Sequence, residues 1–211
     1  MKIGIIGSGH VGVTLAKGLA GLGHDVQLGT NSPDKKADLT KELGKVPVGS
    51  FEDAATHGEM AILAIKGSAA EEVIAKLAPK LAGKVVIDTT NPIADAAPVD
   101  GVILFFTDYT QSLFEKLVAA APDVKLVKAF NSVGNGVMVS PKFAETPTMF
   151  ICGADAEAKS QATGLLKELG WDAADMGSPV AARAIEPLCI LWCIPGMLEN
   201  DWNHAYRLLK G

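Results

Sequence analysis

The chain is short of the residues from which most catalytic machinery is assembled. Its 211 residues include only four histidines, and aromatics make up 6%. His10 falls in a glycine-rich turn, His24 before a strand, His57 in a connection and His204 near the carboxyl end. No Ser–His–Asp set, HExxH motif or paired carboxylates can be built around them. Cys152, Cys189 and Cys193 are odd in number and lie within apolar runs, which reads as reduced core packing rather than a disulfide framework. Cys189 and Cys193 share a helix face, but no second pair or nearby histidine completes a metal site, and none is expected. Net charge is −5 with 20% charged residues, so nothing favours nucleic acid as a partner. The longest apolar run, Pro187 to Leu198, is interrupted by Pro195-Gly196, so no membrane span is expected. The apolar amino terminus is broken by glycines and carries a lysine, unlike a secretory signal. A cytoplasmic, soluble protein is the expectation.

What is present begins at once. Lys2 to Ile6 is a short apolar strand that runs into Gly7-Ser8-Gly9-His10-Val11-Gly12, a GxGxxG loop. Val13 to Gly23 follows as a helix, with Val11, Leu15, Leu19 and Leu22 at helical spacing. In such a loop Gly7 permits the turn, Gly9 lets backbone approach a pyrophosphate, and Gly12 allows close helix–strand packing. Strand before and helix after make this a dinucleotide fingerprint rather than a bare glycine turn.

NAD-binding versions usually carry an acidic residue at the tip of the second strand. Here that strand is Asp25 to Gly29, with Asp25 at the wrong end, and its tip reads Thr30-Asn31-Ser32-Pro33-Asp34-Lys35-Lys36. Hydroxyls, an amide, lysines and a helix start suit a 2′-phosphate, which favours NADP(H) over NAD(H). The same residues also suit an ordinary helix start, with Ser32 as N-cap and Pro33 first.

Further on, apolar runs at Met60–Ile65, Val85–Ile87 and Val124–Phe130 read as buried strands, and further strands are expected at 46–48, 148–152 and 171–175. Helices are expected at 33–43, 51–56, 69–81, 112–121 and 154–169, with a loop at 93–101 and an extended run at 102–106. The alternation predicts an α/β, doubly wound parallel-sheet Rossmann fold. Residues 1–177 form its NADP-binding domain. Residues 178–211 read as a helical segment to the end, kinked at Pro187 and Pro195-Gly196 and packing on the sheet. Its apolar face, including Leu191, Met197, Leu198 and Trp202, suggests a homodimer.

Ligands of such sheets bind beyond the carboxyl ends of the strands. Besides the two loops above, Lys66-Gly67, Thr89 to Pro92 and Asn131 to Asn135 fall there. A site rich in cofactor-binding groups and poor in acid–base residues suits hydride transfer between two redox rings. Lys66 and Asn131 are the candidates near a nicotinamide, although a lysine at that place also suits phosphate or solvent. Asn91 and Asn131 equally suit ring binding or an Asx turn.

Several longer blocks carry a family resemblance. They are Gly7 to Gly12, Leu28 to Ser32, Ile87-Asp88-Thr89-Thr90-Asn91-Pro92, Val127 to Gly134, and Ala182 to Leu188 with Leu191-Trp192. On these the chain resembles, over its full length, the NADPH-dependent reductases of the deazaflavin coenzyme F420, and more distantly the ferric-reductase domain of the STEAP proteins. The resemblance implies hydride transfer between NADPH and a deazaflavin ring. It implies Ser8, His10 and Val11 at the pyrophosphate, and Thr30, Asn31, Ser32 and Lys35 at the 2′-phosphate. Lys66 would lie along the nicotinamide half, with Asn131 beside the rings. Archaeal members carry arginines in place of Asn31 and Ser32 and a histidine in place of Asn131. The alternatives are an NADPH-dependent flavin or ferric reductase, or an NADPH-binding sensor without turnover. Dehydrogenases that add a large helical substrate domain are disfavoured, because residues 178–211 are too few to form one.

Overall fold

The computed structural model describes residues 1–211 as eight strands and eight α-helices. In chain order they are β1 (Lys2–Ile6), α1 (His10–Gly21), β2 (Asp25–Gly29), α2 (Lys36–Leu43), β3 (Val48–Gly49), α3 (Phe51–His57), β4 (Met60–Leu63) and α4 (Gly67–Leu81). Then follow β5 (Val85–Asp88), α5 (Leu113–Ala120), β6 (Lys125–Lys128), β7 (Thr148–Gly153), α6 (Ala156–Glu168), β8 (Asp172–Asp175), α7 (Ala182–Ile185) and α8 (Leu188–Glu199). They form one sheet of order β3-β2-β1-β4-β5-β6-β7-β8. The order reverses between β1 and β4, which opens a crevice at the carboxyl edge there.

Alternation along each strand feeds two cores. Ile3, Ile5, Leu28, Ile62 and Ile87 pack against α1, α2 and α6 on one face, while Ile6, Leu63 and Val86 pack against α3, α4 and α5 on the other. Both faces being covered explains the continuous apolar runs of the central strands.

Several expectations change. β7 pairs antiparallel with β6, so the sheet is mostly rather than wholly parallel. Helix α1 begins at His10, directly on the glycine loop. Residues 92–106 fold as an irregular hairpin, with Ile93 opposite Phe105 and Val99 opposite Val102, and Ala94 N–H bonded to Leu104. The helical pattern ends at Glu199, where Asn200 adopts a left-handed conformation with φ 56°.

Beyond Asn200 the chain doubles back without helix. Trp202 covers Gly196 so closely that a Cβ there would lie 2.2 Å from the indole. Pro195-Gly196 is therefore a seat for the returning tail inside α8 rather than a break. The tail then reaches β7, where Thr148 N–H donates to the Tyr206 carbonyl. Pro179 to Glu199 forms a helical run long and apolar enough, by length and composition alone, to cross a membrane, contrary to expectation. Of its three charged side chains, Arg183 and Glu186 pair with Glu115 and Lys128 of the sheet unit, and Glu199 ends the run.

Candidate functional site

A cleft of about 950 Å³ opens beyond β1, β4 and β5, at the large end of the range for small-molecule sites (roughly 300–1,000 Å³). Its floor is the glycine loop. Gly7 has φ +130°, and a Cβ on it would lie 2.0 Å from the Ala64 carbonyl oxygen. A Cβ on Gly12 would lie 2.0 Å from the Gly7 carbonyl oxygen. Those two glycines are demanded by packing. Gly9 differs: a Cβ there meets no protein atom within 4 Å, so its bareness opens space into the cleft.

Helix capping follows the same division. Helices α3, α5 and α6 start on the side chains of Ser50, Ser112 and Asp155, and each has a carboxylate in its first turn. Helices α1 and α4 start at the cleft with neither a side-chain cap nor an acidic residue in the first turn. Their leading N–H groups and positive dipole ends are left for an anion. Two such ends beside a bare glycine fit a pyrophosphate.

Beyond β2, Asn31, Ser32 and Lys35 line the cleft, and Asp34, the one carboxylate of that tip, does not. Ser32 does stand at the N-cap of a short 3₁₀ turn, Pro33–Lys35, that precedes α2, with Pro33 first as expected, but its side chain makes no capping hydrogen bond. The capped-helix alternative therefore does not account for its hydroxyl. Thr30 is buried rather than in the cleft, and its Oγ1 accepts from the Ser8 hydroxyl at 2.8 Å and from Ser32 N–H at 3.1 Å. It joins the phosphate loop to the β2 tip. Of the other expected residues, Ser8, His10, Val11, Lys66 and Asn91 line the cleft.

Asn131 does not. It is 2% exposed and lies behind Asn91, which donates to its backbone carbonyl at 2.7 Å. Asn131 Nδ2 donates to the Ile185 carbonyl at 3.0 Å, and its Oδ1 has no partner. The preceding Phe130 has φ 62°, which turns the chain inward after β6. Asn131 thus supports a cleft residue from below.

A buried charge cluster supports the same edge. Lys128 is 0% exposed, and its Nζ reaches Asp88 at 2.9 Å, Glu186 at 3.1 Å and the Thr90 carbonyl. Thr90 donates its N–H and hydroxyl to Asp88, and Glu186 accepts from Leu113 N–H and Phe114 N–H at the start of α5. Burial disfavours the Lys128 ammonium, but the two carboxylates outweigh it and hold its pKa above the usual lysine value. Thr90, which lines the cleft, is fixed by this network. Nothing in the pattern of β6 marks Lys128, at the end of the strand, as buried.

Sequence reasoning also missed Phe51, Ile93, Asp95 and Phe106, all on the cleft wall. Three of these lie in the 92–106 hairpin. The other three histidines are structural: His24 bonds Glu168, His57 bonds Asp25, and His204 stacks on Trp192. Cys152 is buried, and burial pushes its thiol up to about 12. No group of side chains suited to a metal ion is present.

Residues 2–92 match the family model described as NADP oxidoreductase, coenzyme F420-dependent. A metalloreductase STEAP3 of Rattus norvegicus is 30% identical over 201 residues, covering 93% of this chain and 39% of its own length. This chain thus spans well under half of that relative. An F420-dependent NADP reductase of Methanocaldococcus jannaschii is 27% identical, with 89% of both chains covered. A solved protein of Arthrobacter sp. FB24, provisionally named an F420-dependent NADP reductase, superposes with a TM-score of 0.89 at 31% identity over 100% of both chains. Full-length likeness in sequence and fold, together with a glycine-floored cleft, makes this chain a member of the F420-dependent NADP oxidoreductase family.

Proposed function

We propose that the protein is an NADP(H)-dependent oxidoreductase that passes a hydride between the nicotinamide and a deazaflavin or related redox ring. One observation carries this reading. A single cleft joins a glycine loop, two uncapped helix starts and a β2 tip whose cleft-lining residues carry no carboxylate to a largely apolar wall, and it contains no acid–base pair. The bound reduced nicotinamide supplies two electrons and one proton as hydride, and the acceptor ring takes them with any further proton from water.

The residues then bind and align. The N–H groups of His10, Val11 and Gly12 receive the pyrophosphate. Asn31, Ser32 and Lys35 hold the 2′-phosphate, with Thr30 fixing the turn between them and Ser8. Lys66 lies along the nicotinamide half, and Asn91, braced by Asn131, faces the reacting end. Alignment of two rings, with no proton to move at a side chain, is sufficient catalysis here.

The test is stopped-flow oxidation of NADPH against a deazaflavin, FMN, FAD and ferric chelates. Saturable turnover with the deazaflavin supports the reading. The match to rat STEAP3 over 93% of this chain favours ferric or flavin reduction as the second reading, which turnover with those acceptors alone would select. Tight NADPH binding with no turnover at all would instead indicate a sensor.

A further inference from the structure

Helices α1, α3 and α4 start along the cleft, and they start differently. Helices α1 and α4 leave their first N–H groups free, whereas α3 is closed by a complete capping box. Ser50 Oγ accepts from Asp53 N–H at 3.0 Å, and Asp53 Oδ2 accepts from Ser50 N–H at 2.8 Å. Glu52 and Asp53 place two carboxylates in that first turn. The start of α3 is therefore closed to a phosphate. What it puts into the cleft is the ring of Phe51.

Phe51 stands beside the turn that reads the 2′-phosphate in the binding mode above. A Cβ on Gly29, the last residue of β2, would lie 3.0 Å from Phe51 Cα and 2.8 Å from the Ser50 carbonyl oxygen. The start of α3 thus presses on the strand whose tip carries Asn31, Ser32 and Lys35. Ile65, after β4, and Val73, in α4, also line the cleft. A Cβ on Gly7 would lie 3.0 Å from Ile65 Cγ2, which ties that side chain to the glycine loop. Glu52 and Lys76 pair at 2.8 Å and join α3 to α4, next to Phe51 and one turn beyond Val73. Phe51, Ile65 and Val73 are each partly buried and rest on the same core, so each is backed by protein and open to the cleft.

An apolar slot here gives nothing to phosphates or riboses. The uncharged part of the dinucleotide at this end is its purine, a flat ring whose two faces gain from apolar and aromatic contact. Resting on the NADP(H) reading above, we propose that Phe51 is a cofactor-contacting residue. The adenine ring stacks on its face, and Ile65 and Val73 close the slot from the β4 side. Helix starts divide the ligand between them: the two free ones take the pyrophosphate, and the capped, acidic one takes the neutral base.

The probe is 2′,5′-ADP, which carries the purine and the 2′-phosphate but no nicotinamide. Phe51→Leu keeps an apolar side chain on the core and removes the aromatic face. By isothermal titration it should weaken both 2′,5′-ADP and NADPH about tenfold, the size expected for one lost stack. With any acceptor that turns over, KM for NADPH should rise while kcat at saturation stays unchanged. Phe51→Trp adds a spectroscopic readout that a purely structural role would not move. None of the three native tryptophans lines the cleft, so 2′,5′-ADP should quench emission in this variant and leave that of the parent protein unchanged. Unaltered 2′,5′-ADP affinity in Phe51→Leu, or no added quenching in Phe51→Trp, would overturn the proposal while leaving the hydride-transfer reading intact. Conversely, NADPH that binds but is oxidised by no acceptor would defeat that reading, and the 2′,5′-ADP titrations would still decide the role of Phe51.

Discussion

Ser32 and Lys35 are where the choice of dinucleotide should be felt. Charge-assisted hydrogen bonds contribute about 1.5–3 kcal/mol each. Ser32→Ala with Lys35→Ala should therefore raise the KM for NADPH tenfold or more and leave that for NADH unchanged, as read by steady-state kinetics. An equal response to both would remove the 2′-phosphate from this turn. Gly9 and Gly12 make a paired test of the loop. Gly9→Ala meets no protein atom, so the protein should stay folded while NADPH affinity falls at least tenfold. Gly12→Ala drives a Cβ into the Gly7 carbonyl and should lower the melting temperature itself. Both glycines and their different roles, cofactor approach at Gly9 and close packing at Gly12, were legible from the motif, and the structure adds what lies opposite each: open cleft at Gly9 and the Gly7 carbonyl at Gly12. Asn131 was less legible. Its type and position pointed to the rings, whereas the left-handed turn at Phe130 carries it beneath Asn91.

At the level of elements, the end of β6 and the start of α7 are bound to the cleft edge by ion pairs. Replacing Lys128 by Met would leave Asp88 and Glu186 buried without their cation. Losing one partner of a buried pair costs about 3–5 kcal/mol, and chemical denaturation should show a loss of that size. Glu115 is held at about 2, below its ordinary 4.5, first by the Arg183 guanidinium and also by the Ser112 cap. Its contribution is therefore complete above about pH 4.5 and disappears as pH falls toward 2. Glu115→Gln should lower stability at neutral pH and flatten the acid limb of a stability–pH profile, and an unchanged limb would show that the pair is not felt. Strands and helices of the sheet unit were readable because both periodicities are clean where each face is buried. The 92–106 hairpin was not, since it is stabilised by a few backbone bonds over an irregular course. The tail after Glu199 was misread for a related reason: its apolar residues serve contacts with α8 and β7 rather than a helix face.

On the scale of the whole molecule, α8 carries Leu191 at 56% and Leu198 at 61% exposure beside the half-exposed Met197. We propose that a second copy covers this face, so that the protein sediments as a dimer and Leu191→Asp with Leu198→Asp yields a monomer by analytical ultracentrifugation. A monomeric parent chain would rule out that interface. Everything else depends on the cleft receiving a phosphorylated dinucleotide. Isothermal titration of the purified protein with NADPH and then NADH measures this without reference to any acceptor. The expected result is saturable binding of NADPH at least tenfold tighter than NADH, with the difference abolished by Ser32→Ala and Lys35→Ala together. Heat from neither nucleotide, or equal affinity for both, would contradict it.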